Sequence, residues 1–297
     1  MIDIKIPNAL IQNIYNQDNV LLDVLREDLN HPLIQGNKFR KLKYNLLKAK
    51  EMQKDTLLTF GGAYSNHIHA TAAAGKVFGF KTIGIIRGDE LANKPLNPTL
   101  REAQEMGMQL KFIKREKYRE MTQNNSFDEV QALEPQAYLL PEGGTNALAV
   151  KGCEEILYNA TKSYDYITVP IGTAGTMSGI MNAAGSHQKI LGFSALKNSD
   201  FLRKTINSYT SNEHYEIINA YHFGGYAKFT DDLIKFVNNF NAKTQIPIEP
   251  IYTGKMFYGL FDLVENHYFS QNSKILAIHT GGLQGIKGFN NTHGNII

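Results

Sequence analysis

Short apolar runs alternate with longer stretches of helical periodicity from about residue 56 onward. Runs rich in β-branched and large aliphatic residues predict strands, and apolar residues at helical spacing predict helices between them. The predicted strands are 56–60, 81–87, 109–114, 137–140, 166–172, 189–195, 216–221 and 274–280. Helices are predicted at 65–78, 98–106 and 147–162, and irregular structure at 199–215 and 245–255. This alternation indicates the α/β class, with parallel sheets covered by helices.

Glycine-rich or polar clusters follow several of the predicted strands. Open α/β sheets bind ligands at the carboxyl ends of their strands, where loops meet helix N-termini. Four clusters lie at such ends, and a fifth, at 35–42, opens a helix near the N-terminus. The four are GGAYSNH at 61–67, GTAGT at 172–176, HFGGYAK at 222–228 and HTGG at 279–282. Together they predict a binding site more strongly than any one of them does.

Composition and charge exclude several classes of protein. The 297 residues suffice for about two domains, and 42% hydrophobic with 20% charged residues excludes a disordered or fibrous chain. Lys plus Arg exceeds Asp plus Glu by 31 − 28 = 3, too small an excess for nucleic-acid binding. One cysteine, Cys153, excludes an internal disulfide framework and fits a reducing compartment. Without a signal-peptide pattern or a 20-residue apolar window, we expect a cytoplasmic protein with no membrane partner.

The loop GTAGT directly follows a predicted strand and precedes a predicted helix. Backbone N–H groups at the helix N-terminus, with two threonine hydroxyls, would bind a phosphate. A tight turn without a ligand explains the pattern equally well. The residues concerned are Gly172, Thr173, Ala174, Gly175 and Thr176.

Lys38 is predicted to lie in the first turn of a helix. The helix dipole and burial would lower the pKa of its ammonium group, so that it could form a Schiff base or act as a base. The alternative is a solvated basic face, and from this stretch alone we favour that alternative. The other basic residues of the face are Arg40, Lys41, Lys43 and Lys48.

Ser65 is either an ordinary helix N-cap or part of a loop that grips a carboxylate. Asn66 could then reach a ring hydroxyl.

A metal site at His67 and His69 is not expected, because no carboxylate or cysteine set accompanies them. Tyr226 and Tyr252 could be acid–base groups or packing residues. His279 is predicted to be a structural histidine and Cys153 a buried small residue.

Six motifs in this order resemble the fold-type-II pyridoxal-phosphate enzymes. They are GNKFRKLKYN, FGGAYSNHIHATAAAG, PEGGTNALAVKG, GTAGT, EPIYTGKMFYG and IHTGG, from residue 36 to 285. More narrowly, the chain is similar to the D-cysteine desulfhydrase and 1-aminocyclopropane-1-carboxylate deaminase family. The resemblance implies two open, mostly parallel twisted sheets flanked by helices, as in the tryptophan synthase β chain. It also implies a larger domain of 1–43 plus 146–297, a smaller one of 44–145, and a homodimer.

The resemblance also assigns roles to the candidate residues. It reverses the interpretation of Lys38, which matches the lysine that holds pyridoxal phosphate covalently and later moves protons. Gly172 to Thr176 match the phosphate cradle, and Asn66 the asparagine beside the pyridine hydroxyl. Ser65, with the N–H groups of Asn66 and His67, matches the loop that grips the carboxylate of a small amino-acid substrate. Tyr252 and, less closely, Tyr226 match tyrosines near the substrate.

Two positions distinguish the activities within this family. The deaminases carry Glu after the tyrosine and Leu before Gly-Gly, whereas this chain has Thr253 and Thr280, as in the desulfhydrases. A carboxylate at the pyridine nitrogen deepens the electron sink that ring opening requires. The prediction is therefore β-elimination of D-cysteine to pyruvate, ammonia and hydrogen sulfide. The alternatives are 1-aminocyclopropane-1-carboxylate deamination to 2-oxobutyrate, elimination from another D-amino acid, a non-catalytic pyridoxal-phosphate carrier, and a nucleotide-binding regulator.

The chain is shorter than most members of this family. The missing residues are expected to fall within 87–140 and 195–225. Those stretches should shape the entrance to the active site, and with it the choice of substrate.

Overall fold

The computed structural model describes residues 3–17, 20–123, 127, 130, 132, 134–197 and 199–297. Its strands are β1 Ile11–Gln17, β2 Val20–Leu25, β3 Thr56–Gly61, β4 Lys81–Arg87, β5 Met108–Ile113, β6 Ala137–Leu140, β7 Tyr166–Ile171, β8 Lys189–Ser194, β9 Tyr215–Ile218 and β10 Lys274–Ile278. Its α-helices are α1 Asn37–Glu51, α2 Asn66–Phe78, α3 Pro98–Glu105, α4 Arg115–Gln123, α5 Ala147–Glu154, α6 Gly175–Ala183, α7 Phe201–Asn207, α8 Asp231–Thr244, α9 Thr253–Glu265 and α10 Gly285–His293.

The strands form two sheets, and the α/β prediction is confirmed. One sheet has the order β5-β4-β3-β6, and its strand pairs are parallel. The other has the order β1-β2-β10-β7-β8-β9, and only its β1–β2 pair is antiparallel. Both faces of the six-stranded sheet are buried under helices, which is why its inner strands are mostly apolar.

All eight predicted strands are present: β4 and β6 have the predicted ends, and the ends of the other six are shifted. The N-terminal hairpin β1–β2 was not predicted, although β2 is a central, buried strand. Its one charged side chain, Asp23, is satisfied by hydrogen bonds from Asn13 Nδ2 at 2.8 Å and Tyr164 Oη at 2.6 Å. Because this carboxylate interrupts the apolar run, the sequence pattern does not predict a strand here.

Two other predictions were wrong. The helix predicted over 147–162 ends at Glu154, and a separate 3₁₀ helix follows at Asn159–Ser163. Helix α7 lies in the stretch 199–215, which was predicted to be irregular. In the described part of the chain, no helix has both the length and the apolar composition needed to cross a membrane.

Helix α1 packs against elements of both sheets. Its apolar face contributes to a core with Leu57 of β3 and Ala73 of α2, and its other side packs on α5. There the contact is so close that a Cβ on Gly152 would lie 2.0 Å from the Arg40 carbonyl oxygen. The helix is thus fixed from both sides, which gives the side chains of its first turns a defined position.

Candidate active site

A cavity of about 860 Å³ lies where the carboxyl ends of β3 and β4 face those of β7 and β10. It is lined by nearly all the residues singled out in the sequence, which the fold brings together from six separate segments. These are Lys38, Ser65, Asn66, His67, Gly172, Thr173, Ala174, Thr176, Tyr226, Tyr252 and Thr280. Gly175 lies beside them, packed against Thr145.

Lys38 lies in the first turn of α1, as predicted. The turn is fixed by Gly36, whose φ is +70° and whose hypothetical Cβ would lie 1.9 Å from the Thr280 carbonyl oxygen. The Asn37 N–H donates to that same oxygen at 3.2 Å. Lys38 Nζ donates to Asn37 Oδ1 at 3.3 Å. Burial lowers its pKa to about 8, so an appreciable fraction of the amine is unprotonated and nucleophilic near neutral pH.

Two residues of the basic face considered for this helix, Arg40 and Lys41, are buried, whereas Lys48 is partly exposed and pairs with Glu51. Arg40 is 1% exposed and makes a bidentate ion pair with the equally buried Glu27, at 2.9 and 2.7 Å. Lys41 is 2% exposed. Its Nζ donates to Gly143 O at 3.0 Å, to Thr145 Oγ1 at 2.9 Å and to Thr173 Oγ1 at 3.2 Å. Burial, with a smaller contribution from the Lys38 charge, lowers the pKa of Lys41 to about 7.

The loop after β7 leads into the N-terminus of α6. No described side chain caps this helix, although α2, α3, α5 and α8 each have a side-chain cap. Its first residues are buried, and the Gly175 N–H donates to Thr173 O at 2.8 Å. The N–H groups of Thr176 and Met177 have no acceptor among the described residues, which leaves them available to a ligand. Ala174 has φ +59°, a strained backbone conformation of the sort found at ligand sites. Asn37 Nδ2 donates to Thr176 Oγ1 at 2.8 Å and ties this loop to α1.

The loop after β3 places Ser65 and Asn66 on the cavity wall. Ser65 Oγ accepts from the Ile68 N–H at 3.3 Å and is therefore the N-cap of α2. Asn66 Oδ1 accepts from Gln284 Nε2 at 2.7 Å, a contact that sets the orientation of the amide. The Asn66 NH₂ group is thereby left on the side of Gly282. It can donate to a hydroxyl or phenolate oxygen in the cavity.

His67 is buried, and neither ring nitrogen has a hydrogen-bond partner among the described residues. Burial and the nearby charges of Lys38 and Lys41 lower its pKa well below the usual value, so the ring is neutral. An unpartnered polar group in such a position indicates that a ligand or water belongs beside it. The described residues contain no group of three or more His, Cys, Asp or Glu side chains that could hold a metal ion.

Tyr252 and Tyr226 meet on the opposite wall. Their ring centroids are 5.9 Å apart in an edge-to-face arrangement, and the Tyr252 ring packs against Gly172. Burial raises the pKa of both hydroxyls, that of Tyr252 well above its usual value. The Tyr226 loop is anchored by Lys255 Nζ, which donates to His222 O at 2.9 Å and Gly225 O at 2.7 Å. Both hydroxyls are therefore protonated and act as donors near neutral pH.

Thr253 and Thr280, the two discriminating positions, differ in their surroundings. Thr280 lines the cavity. Thr253 begins α9 behind the cavity wall, and its hydroxyl lies 3.1 Å from Glu249 Oε1. The buried Glu249 carboxylate also accepts from the N–H groups of Ile251, Tyr252 and Thr253 at 2.7 to 3.0 Å. Its oxygens are therefore fully occupied as the cap of α9.

His279 and Cys153 are structural residues, as predicted. His279 Nε2 donates to Pro247 O at 2.7 Å, and its Nδ1 accepts from the Gly281 N–H at 3.1 Å. Burial raises the pKa of the Cys153 thiol to about 11, which leaves it protonated and unreactive.

These residues fit pyridoxal phosphate. The uncapped, buried N-terminus of α6, with Lys41 beside it, suits a phosphate dianion, and the Lys38 amine suits an aldehyde. Asn66 suits the ring hydroxyl. Four residues of the site were not predicted to belong to it: Asn37, Lys41, Lys255 and Gln284. Lys41 could have been found, because residues three apart share a helix face and Lys38 was already a candidate.

The outer part of the cavity is formed by the two stretches expected to shape its entrance. Leu91 and Arg115 come from 87–140, and Leu196 and Phe201 from 195–225, with Tyr226 next to them. Residues 124–126, 128, 129, 131, 133 and 198 of these stretches lie outside the described part of the chain.

Known proteins resemble this chain over nearly its whole length. It is 28% identical over 89% of its residues to a bifunctional D-cysteine desulfhydrase/1-aminocyclopropane-1-carboxylate deaminase, mitochondrial, of Arabidopsis thaliana, covering 72% of that protein. It is 26% identical to a 1-aminocyclopropane-1-carboxylate deaminase of a Bradyrhizobium species, with 91% and 88% of the two chains covered. A solved structure of an ACC deaminase homologue has the same fold, with a TM-score of 0.84, 24% identity and coverage of 98% and 95%.

The family model described as "Pyridoxal-phosphate dependent enzyme" matches residues 11–281. That range includes both sheets and every lysine, threonine and tyrosine described above. The cofactor expected from the sequence is thus confirmed, and the chain belongs to the family of pyridoxal-phosphate dependent enzymes.

Proposed function

We propose that this enzyme eliminates hydrogen sulfide from D-cysteine, giving pyruvate and ammonia. The observation that carries the proposal is the absence of an available carboxylate at the inner end of the cavity. Position 253 is a threonine, Thr280 presents a hydroxyl, and the oxygens of Glu249 are occupied by the N-terminus of α9. Among the described lining residues the one carboxylate is Glu142, on the outer wall. Neutral groups suffice for expulsion of a thiolate, which is a good leaving group.

The side chains around the cavity bind the cofactor and the substrate and move the protons. Bound pyridoxal phosphate supplies an electron sink for the bond-breaking step. Lys38 holds the cofactor, and when its amine is free it takes the α-proton of the substrate. Ser65 and the N–H groups that follow it hold the substrate carboxylate. The Tyr252 hydroxyl is kept protonated by its raised pKa and donates to the departing sulfur. Tyr226, whose ring lies edge-to-face with that of Tyr252, assists this proton transfer.

The phosphate end of the cavity is assigned to the loop Gly172 to Thr176, with Ala174 and Gly175 at the start of α6. Lys41 neutralises part of the dianion, since its Nζ already contacts Thr173. The Asn66 amide, oriented by Gln284, donates to the ring hydroxyl oxygen. Thr280, which lines the cavity, would contact the ring. The contacts given above support these proposed roles.

The second candidate is 1-aminocyclopropane-1-carboxylate deamination. The names of the relatives favour it, because one combines both activities and another is a deaminase alone. Thr253 counts against it, since the deaminase pattern has Glu there. A non-catalytic carrier is the third candidate, and the substrate loop at Ser65 counts against it, because storage of a cofactor requires no second anion loop.

The experiment measures sulfide and pyruvate release from D-cysteine, with L-cysteine and 1-aminocyclopropane-1-carboxylate assayed in parallel. We expect equal amounts of sulfide and pyruvate from the D-isomer and none from a Lys38→Ala variant. Formation of 2-oxobutyrate without sulfide would establish the deaminase instead. A cofactor spectrum that no amino acid changes would point to the carrier.

The domain boundaries and the assembly remain predictions. We propose 44–145 as the smaller domain, which is consistent with all four strands of the smaller sheet falling between 56 and 140. Limited proteolysis would locate the boundary. The homodimer and the cytoplasmic location are checked by sedimentation and by cell fractionation.

A further inference from the structure

Arg87 stands at the carboxyl end of β4 and lines the outer part of the cavity. Its guanidinium carbon lies 5.8 Å from the centre of the Tyr118 ring, which is buried and forms a floor beneath it. A terminal guanidinium nitrogen lies 3.7 Å from the position that a Cβ on Gly62 would occupy. Arg87 is exposed, and its cation lies over an aromatic ring at the edge of the substrate loop.

Arg87 is a cation without a counter-ion. Four of the described lining residues are cationic, and three of them have a role or a partner. Lys38 and Lys41 belong to the cofactor end, and Arg115 is paired with Glu90. The structure shows neither a hydrogen bond nor an ion pair from the Arg87 side chain to any residue that it describes. Its five N–H donors are available to a ligand.

The carboxylate on the same wall does not neutralise Arg87. Glu142 accepts a hydrogen bond from the Tyr118 hydroxyl at 2.7 Å. It forms no ion pair with Arg87, although the structure describes both side chains. Tyr118 thus contacts both groups, with Arg87 over its ring and Glu142 at its hydroxyl.

The cavity of about 860 Å³ holds the cofactor as well as the substrate, and its lining continues beyond Ser65 to Arg87 and Leu91. The loop at Ser65 is assigned to the α-carboxylate, so an anion at Arg87 belongs to the other end of the substrate. An arginine fork binds a carboxylate through two parallel hydrogen bonds, which makes it selective for that planar group.

We propose that, besides D-cysteine, the enzyme accepts D-amino acids whose β-substituent ends in a carboxylate in preference to their neutral analogues, and that Arg87 binds this distal carboxylate. This inference rests on the proposed elimination and names a further substrate class, the S-(carboxyalkyl)-D-cysteines. With S-carboxymethyl-D-cysteine, the α-proton passes to Lys38 and the Cβ–S bond breaks with its electron pair on sulfur. Water then hydrolyses the released aminoacrylate. The products are mercaptoacetate, pyruvate and ammonia, and no oxidant or reductant is required.

The first test measures binding without turnover. Calorimetry on the Lys38→Ala protein loaded with pyridoxal phosphate compares S-carboxymethyl-D-cysteine with its neutral amide, S-carbamoylmethyl-D-cysteine. We expect the acid to bind at least about tenfold more tightly. Arg87→Gln, added to this background, should abolish the preference and Arg87→Lys should restore part of it. Arg115→Gln is the matched control and should retain the preference, because Arg115 is already paired with Glu90. Equal binding of acid and amide, or a preference that survives Arg87→Gln, would overturn the proposal.

The second test uses the enzyme with Lys38 intact. The ratio of kcat/KM for the acid to that for the amide should fall at least about tenfold in Arg87→Gln. Because the intrinsic reactivity of the two substrates is the same in both proteins, it cancels from this comparison. Absence of sulfide from D-cysteine, with the binding preference intact, would refute the proposed reaction alone. Sulfide release without any preference would refute the role of Arg87 alone.

Discussion

Replacing Lys41 by methionine should stabilise the cofactor-free protein while weakening its hold on the cofactor. Lys41 is 2% exposed and is surrounded by neutral oxygens, with no carboxylate among its hydrogen-bond partners. Its pKa is lowered from 10.5 to about 7. The folded protein therefore carries this charge at a cost, which an arriving phosphate would offset.

The size and the sign of that cost follow from proton linkage. Between pH 7 and 10.5 the unfolded chain binds more protons at Lys41 than the folded protein does, so the stability of the wild type rises with pH. The penalty is about 4 kcal/mol at pH 7 and about 2 kcal/mol at pH 9. Lys41→Met removes the penalty but leaves the Gly143 carbonyl without its donor, which costs about 1–3 kcal/mol. The advantage of the variant should thus shrink by about 2 kcal/mol between the two pH values.

Urea unfolding of the cofactor-free proteins at pH 7 and pH 9 measures this difference. Lys43→Met is the matched control, since Lys43 lies on the same helix but pairs with Glu155 at 2.7 Å. We expect no such pH-dependent gain from it. Titration with pyridoxal phosphate should show affinity about 10- to 150-fold weaker in Lys41→Met, from loss of a charge-assisted contact. Identical pH dependence of stability in wild type and Lys41→Met would refute the reasoning.

Three further predictions test other parts of the site. Gly36→Ala should abolish the absorbance of bound cofactor, because the new Cβ would collide with the Thr280 backbone. The control is Gly79→Ala, at φ +68° in open space, and thermal unfolding should show a loss of only about 1–2 kcal/mol of stability. Lys255→Met should lower kcat/KM about tenfold and leave cofactor affinity unchanged, because the Tyr226 loop loses both hydrogen bonds from Lys255 Nζ. An equal loss of kcat/KM and of cofactor affinity would contradict this prediction. Thr253→Glu places a second carboxylate beside Glu249, so this variant should lose more stability at pH 8, where both carboxylates are charged, than at pH 5. Adding Glu249→Gln should restore the stability and permit the variant to form 2-oxobutyrate from 1-aminocyclopropane-1-carboxylate.

The fold class and most strands could be predicted because buried parallel strands are continuous apolar runs. AYLL at 137–140 matches β6 residue for residue. The β1–β2 hairpin could not be predicted in the same way. The polar residues of β1 belong to a sheet edge, and Asp23 of β2 is hydrogen-bonded by Asn13 of the paired strand and by Tyr164, which is distant in sequence. Helix α7 is short, and seven residues give too little periodicity to recognise.

The candidate site, too, could be predicted only in part from the sequence. Clusters at strand ends were enough to place Ser65, Gly172 and Thr280 around one cavity, because the carboxyl ends of parallel strands converge. The burial of Lys41 and the pairing of Arg40 with Glu27 were not predictable. Both depend on α1 being covered on two sides, and sequence periodicity shows only that a helix has an apolar face.

The strand order has a consequence for the order in which the chain folds. Residues that pair in the four-stranded sheet all lie between 56 and 140, so that sheet needs no later part of the chain. In the six-stranded sheet, β2 pairs with β10, as Leu22 with Ile275, some 250 residues further on. Closing so long a loop is slow, and on the ribosome it must wait until β10 has emerged. Thr280, two residues beyond β10, completes the pocket last, so cofactor capture marks the end of folding.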